Sequence, residues 1–109
     1  MDSPLDYSII IEAILREYAH KPSHGDIEPE LVIDREKGHY ELMFIGWDQH
    51  RRVHGSVLHI DLKGNKVWIQ HDGTQGVAKE LVAAGIPKDQ IVLGFRPKKI
   101  RQHTGYAVE

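Results

Sequence analysis

Eight histidines and no cysteine bound the chemistry open to this 109-residue chain. Without cysteine there is no disulfide framework, no thiolate nucleophile and no Cys-ligated zinc. His59 and Asp61 stand two apart and share one face of a strand, while His54 lies on the other face of that strand by simple alternation. His71-Asp72 ends the next strand. A metal site needs three or four converging ligands with further groups orienting them. In the register argued below, His59 lies opposite Gln70 and beside Trp68, and His71 lies opposite Leu58 on the core side. These histidines do not converge, so neither a metal nor a cofactor is expected, and they read as strand-surface groups making local hydrogen bonds. His71-Asp72-Gly73-Thr74 joins a strand to a helix, where backbone N–H groups can hold an anion. It lacks the glycine spacing of a phosphate loop, and a helix cap with a tight turn accounts for it. Ser8 and Ser56 have no nucleophile-elbow context. Glu28 and Glu30 sit in a Pro-containing entry to a strand and suit edge solubility better than cation binding. No catalytic residue stands out, and a non-enzymatic protein is expected.

Charge offers a second kind of chemistry. The net charge is −2, which argues against simple coating of nucleic acid. Its distribution is uneven. Residues 1–50 hold 4 basic and 11 acidic residues, and residues 51–109 hold 10 basic and 5 acidic ones, giving −7 and +5. Such a split suits charge-complementary contact with a partner or with another copy of the chain. It also fits halves that neutralise one another within one fold. Arg51 and Arg52, with the basic cluster Arg96, Lys98, Lys99 and Arg101, can contact phosphates. Trp47 and Trp68 are the only tryptophans available for stacking on bases.

These residues must be positioned by a chain with 40% hydrophobic and 28% charged content, enough for one modest core and a single domain over residues 1–109. No apolar run approaches the roughly 18–20 residues of a membrane span. Met1-Asp2-Ser3-Pro4 lacks the basic start of a signal peptide, so a reducing cytoplasm is the expected setting. Ser3 is a good N-cap, Pro4 suits a first helical turn, and Asp6 stands where a capping box places its acceptor. Tyr7, Ile10, Ile11, Ile14, Leu15 and Tyr18 then form one apolar helical stripe, ended by Lys21-Pro22 and Gly25.

The middle reads as a four-stranded meander over Glu30–Asp34, His39–Asp48, Arg52–Leu62 and Lys66–His71. A two-residue Gly64-Asn65 loop pairs Leu62 with Val67 and Ile60 with Ile69. A four-residue loop pairs Ile33 with Tyr40 and Leu31 with Leu42. A three-residue loop at 49–51 pairs Asp48 with Arg52, Leu42 with Leu58 and Tyr40 with Ile60. The core face is then Leu31, Ile33, Tyr40, Leu42, Phe44, Leu58, Ile60, Leu62, Val67 and Ile69, and a one-residue slip would destroy it. The opposite face carries Met43, Ile45, Trp47, Val53, Val57, His59, Asp61, Trp68 and Gln70. It is too apolar for an ordinary solvated face, so the C-terminal segment, a second subunit or a partner is expected to cover it.

A second helix, capped by Asp72 or Thr74, uses Val77, Leu81 and Val82 and stops at Gly85 before Ile86-Pro87. Ile91–Phe95 is a short apolar strand, and Tyr106-Ala107-Val108 suits pairing on an edge. The fold class is α+β, with an N-terminal helix, the meander, a second helix and a short C-terminal strand, and the helices on one sheet face.

Several blocks resemble the XisI family. They are His39–Trp47 (HYELMFIGW), Asp48–His59 (DQHRRVHGSVLH), Lys66–Thr74 (KVWIQHDGT), Leu81–Gly94 (LVAAGIPKDQIVLG) and Thr104–Val108 (TGYAV). The first helix and Lys21-Pro22 are similar too, so the resemblance spans essentially the whole chain. Gly105 and Glu109 depart from the family pattern. The founder of that family is the controlling factor for excision of the cyanobacterial fdxN element, a programmed DNA rearrangement of heterocyst differentiation. It acts beside a site-specific recombinase and a companion, XisH, that looks nuclease-like. The resemblance implies no catalytic residues. It implies an accessory factor in DNA excision acting by protein contact, with an XisH-type companion and a recombinase as partners, homo-oligomerisation as a further option, and no membrane. Met43, Ile45, Val57 and Trp68 are the expected anchors. The alternative is direct DNA binding through Arg51, Arg52, Arg96, Lys98, Lys99 and Arg101.

Overall fold

Asp6 opens the first helix, α1 (Tyr7–Ala19), because its carboxylate accepts the Ser8 backbone N–H and hydroxyl. The computed structural model describes residues 6–20 and 25–109. Ser3, Pro4 and Lys21-Pro22 lie outside the described residues. Among the described residues Asp6 is the N-cap of α1. The Ser8 hydroxyl is the main influence holding the Asp6 carboxyl below its ordinary value.

Four antiparallel strands follow: β1 (Asp26–Asp34), β2 (His39–Asp48), β3 (Arg51–Lys63) and β4 (Lys66–Asp72). β1 starts four residues earlier than the pattern suggests. Pro29 hides the strand from a propensity reading, yet β1 is an edge strand, where a missing N–H is tolerated. Leu31 faces Leu42, Ile33 faces Tyr40, Leu42 faces Leu58, and both Ile60–Ile69 and Leu62–Val67 pair as expected.

Two irregularities depart from the expected register. Asp48 pairs with Arg51, not Arg52, across a two-residue turn in which Gln49 has φ 57°. A bulge absorbs the slip, since Leu42 faces Leu58 but Met43 faces Ser56, and Val57 is skipped. Beyond the bulge the alternation is reversed, so His54 faces Ile45 on the side away from the core. A second bulge skips Gln70 and sets His59 opposite His71, not Gln70, while Leu58 faces Asp72 in place of His71.

After β4, Gly76 occupies the cap position of α2 (Val77–Ala83). Asp72 nonetheless accepts the first helical N–H, that of Val77, at 3.0 Å, and also the Thr74 N–H. At the other end Gly85 N–H bonds Val82 C=O and Ile86 N–H bonds Leu81 C=O. This closure needs a left-handed residue, and Gly85 has φ 115°. A 3-10 turn (Lys88–Gln90) leads into β5 (Ile91–Leu93), which joins the sheet parallel to β4 and gives the order β1-β2-β3-β4-β5. A last short helix, α3 (Lys98–Arg101), precedes Ala107, which bridges to Val92 on the outer edge.

The core lies between one sheet face and two helices. Tyr40, Leu42, Leu58, Ile60, Val67 and Ile69 meet Ile11 and Leu15 of α1 and Val77 and Leu81 of α2, all buried. Leu31, Ile33, Phe44 and Leu62 pack around them. Glu12 is 8% exposed and receives two hydrogen bonds from Arg35, which fastens the β1–β2 turn to α1. No helix among the described residues is long and apolar enough to cross a membrane.

Candidate functional site

The sheet face turned away from α1 and α2 gathers the polar chemistry. Because Tyr40 and Ile60 point into the core, their neighbours His39, Glu41, His59 and Asp61 point outward. His39 pairs with Asp61 and Glu41 with His59, so four ionisable side chains meet where β2 begins and β3 nears its end. His39 Nδ1 lies 3.2 Å from Asp61 Oδ1 and its Nε2 lies 3.2 Å from Glu41 Oε1. His59 Nε2 lies 3.0 Å from the same Asp61 oxygen, and the two imidazole centroids are 4.5 Å apart. Gln70 donates to Asp61 Oδ2 at 3.1 Å. Burial opposes ionisation of Asp61, but the hydrogen bonds from Gln70, His59 and His39 and the charge of a protonated His59 prevail, and its carboxyl stays below its ordinary value.

This cluster corrects the expectation that the histidines do not converge. His39 is the residue that alternation along β3 alone misses, because it comes from the partner strand. Gln70, expected opposite His59, serves Asp61 instead. His54, His71 and His103 are exposed and are not among the converging donors, although His71 pairs opposite His59.

The expected contact residues divide. Met43 and Ile45 lie half-buried on the outer face, as expected. Val57 does not, because the bulge turns it against the core cluster. Trp68 is on the outer face but covered: Lys63 lies over its ring at 5.0 Å and Arg101 at 5.2 Å. The C-terminal segment is thus the cover for that end of the face. The other end is open. Trp47, beside the β2–β3 turn, is 49% exposed. Across from this strip, β1 pairs Asp26 with Trp47, Glu28 with Ile45 and Glu30 with Met43. An acidic edge therefore borders an apolar strip.

The basic residues also divide into two groups. Arg51 and Arg52 sit at the β2–β3 turn, with Arg51 near Asp48 and Arg52 over Trp47. Arg96 stacks on Phe95, Lys98 pairs with Glu109, and Arg101 donates to the Arg96 and Val108 carbonyls. Lys99 is exposed beside them in α3. Ten residues of β3 separate Arg51 from Asp61, whose cross-strand neighbour Trp68 carries Arg101, a span of about 33 Å. The geometry does not make one basic patch of the six. Among the described ion pairs of lysine and arginine, Arg51 with Asp48 alone joins the acidic and basic halves.

Comparison with known proteins places this geometry in a wider group. The family model described as XisI protein matches residues 1–108. The crystal structure of a XisI-like protein from Anabaena variabilis superposes with a TM-score of 0.88 at 37% identity, over 94% of this chain and 96% of that one. The crystal structure of fdxN element excision controlling factor XisI from Anabaena variabilis superposes with a TM-score of 0.77 at 30% identity, over 94% and 96% of the two chains. No curated protein matches.

Proposed function

The chain belongs to the XisI family, and from that premise we propose that it is an accessory factor controlling excision of a DNA element in the cytoplasm, acting by protein contact without catalysis of its own. One relative of the same fold is an excision controlling factor, which supports the role. The observation that carries the contact reading is the open end of the outer face, where Met43, Ile45 and the half-exposed Trp47 lie beside Asp26, Glu28 and Glu30. An aromatic anchor within a partly apolar strip, bordered by charge of one sign, suits a protein partner that is apolar and basic at the matching surface. The companion of XisH type is the partner proposed, with the recombinase reached through it.

Light scattering of the chain alone, of the companion alone and of the mixture, over a salt series, tests this. A mixed complex that weakens as salt rises, and at least about tenfold with Trp47→Ala, is the expected result. A homo-oligomer indifferent to the companion would assign the strip to self-assembly and overturn the partner reading. Two species that never combine would overturn it as well.

A further inference from the structure

We infer that His39, His59 and Asp61 form a binding site for one divalent first-row transition ion, of the Zn2+ class, on the outer face of β2 and β3. One ligand atom from each of the three side chains lies within 4.8 Å of the other two, and His39 Nδ1 and His59 Nε2 both meet Asp61 Oδ1. Two of the three separations are 3.2 and 3.0 Å. Ligands held about 2.0–2.1 Å from a tetrahedral ion stand about 3.3 Å apart, so the cluster is close to its bound dimensions already. Two imidazoles and one carboxylate are a donor set that such ions favour over Ca2+ or Mg2+, which prefer oxygen.

The groups behind the donors carry the argument further. A neutral imidazole has one N–H, yet His39 meets a carboxylate oxygen at each ring nitrogen. In the tautomer with the proton on Nε2, donated to Glu41, the Nδ1 lone pair turns to Asp61 Oδ1 in place of the hydrogen bond His39 gives Asp61 without an ion, and a cation between these two acceptors satisfies both. A carboxylate holding the far nitrogen of a ligating histidine is the arrangement that orients metal-bound imidazoles. Gln70 does the same for Asp61, occupying Oδ2 and leaving Oδ1 free for the ion. Both strands have a neighbour on either side within the sheet and their inner sides are locked in the core, so the donors are held on rigid elements. The side chains of His39, His59 and Asp61 keep 30%, 27% and 20% of their exposure, which leaves ions a way in and water room to complete the coordination. The site lies beside the covered Trp68 and does not depend on the partner strip at Trp47.

The test uses the full chain without a histidine tag, stripped with a chelator and titrated with Zn2+ by calorimetry. One ion per chain is expected, with affinity falling at least about a hundredfold in His59→Gln and Asp61→Asn. Glu41→Gln, which touches no ion, is expected to lose about 10–100-fold. His103→Gln on the exposed tail is expected to bind as the parent does. Each variant is first shown by thermal unfolding in chelator to be folded. Should one fail, imidazole NMR of the unmodified chain decides: Zn2+ must shift the His39 and His59 rings and leave His54 and His103 in place. Absence of a stoichiometric ion would overturn the site. Parent-like binding by His59→Gln and Asp61→Asn, or ring shifts confined to other histidines, would do so too.

Discussion

Two faces of the same strands follow opposite rules. On the inner face Tyr40, Leu42, Leu58 and Ile60 are at most 1% exposed and belong to one apolar cluster. One residue along each strand, His39, Glu41, His59 and Asp61 are part-exposed and bond to one another and to Gln70. The inner face fixes the register, because a one-residue slip would exchange the two sets. That fixed register places four ionisable groups from two strands within contact of one another on the outer side. The polar face thus gains its geometry from the stability of the apolar face.

The sharpest way to break the comparison is Leu58→Ala. Leu58 is fully buried between the sheet and its helices, so truncation leaves a cavity and is expected to cost about 3 kcal/mol in denaturant unfolding. A cost under about 1 kcal/mol would mean that the inner face is loosely packed and does not fix the register. Trp68→Ala, on the outer face, comes next at about 2 kcal/mol. The loss arises from the stacked Lys63 and Arg101 and should expose the segment after Phe95 to limited proteolysis. A variant as stable and as protease-resistant as the parent would show that this segment is held by its bridge to β5 and the packing of Tyr106 without help from Trp68.

Much of this organisation is legible in residue order. Alternation gives the core face and three hairpin registers near their centres, since burying ten apolar side chains together allows one solution. The pairing of Tyr40 with Ile60 also implies that of His39 with Asp61. Following β3 by itself hides the cluster, because one of its donors arrives from β2. The two bulges leave no mark in composition: Val57 and Gln70 are ordinary strand residues, and only the turn length at Gln49-His50 forces the first slip. Gly46 is a partial exception. A Cβ there would stand 1.9 Å from the Asp26 carbonyl oxygen, so a glycine inside an apolar strand is a sign that β1 approaches closely. The covering of Trp68 depends on Arg101, thirty-three residues away, through a contact that no local pattern encodes.

A smaller effect separates the helices from the sheet. The Tyr18 hydroxyl donates to Glu80 and ties α1 to α2, and burial followed by that bond raises the Tyr18 pKa above its ordinary value. Tyr18→Phe removes the bond and keeps the ring, so about 1 kcal/mol of stability should be lost with no change in Zn2+ binding. If Zn2+ affinity fell with it, the outer face would depend on helix docking as well as on strand register.

Trp47→Ala should be the mildest change to the fold and the most telling for contact. Trp47 is 49% exposed, and Arg52, itself exposed, lies over its ring. An exposed cation–π pair of this kind is worth about 0.5–1 kcal/mol, and substitutions away from the core rarely exceed about 0.5 kcal/mol. The melting curve should therefore stay nearly in place while association with the companion weakens. A cost above about 2 kcal/mol would make the β2–β3 turn part of the folded core and remove the distinction between an open and a covered end of the outer face. Unchanged stability with unchanged association would leave the fold description intact and move the contact away from the strip, toward the acidic edge of β1, where Glu28 and Glu30 are exposed in a strand whose outer hydrogen-bonding edge has no neighbour within the sheet.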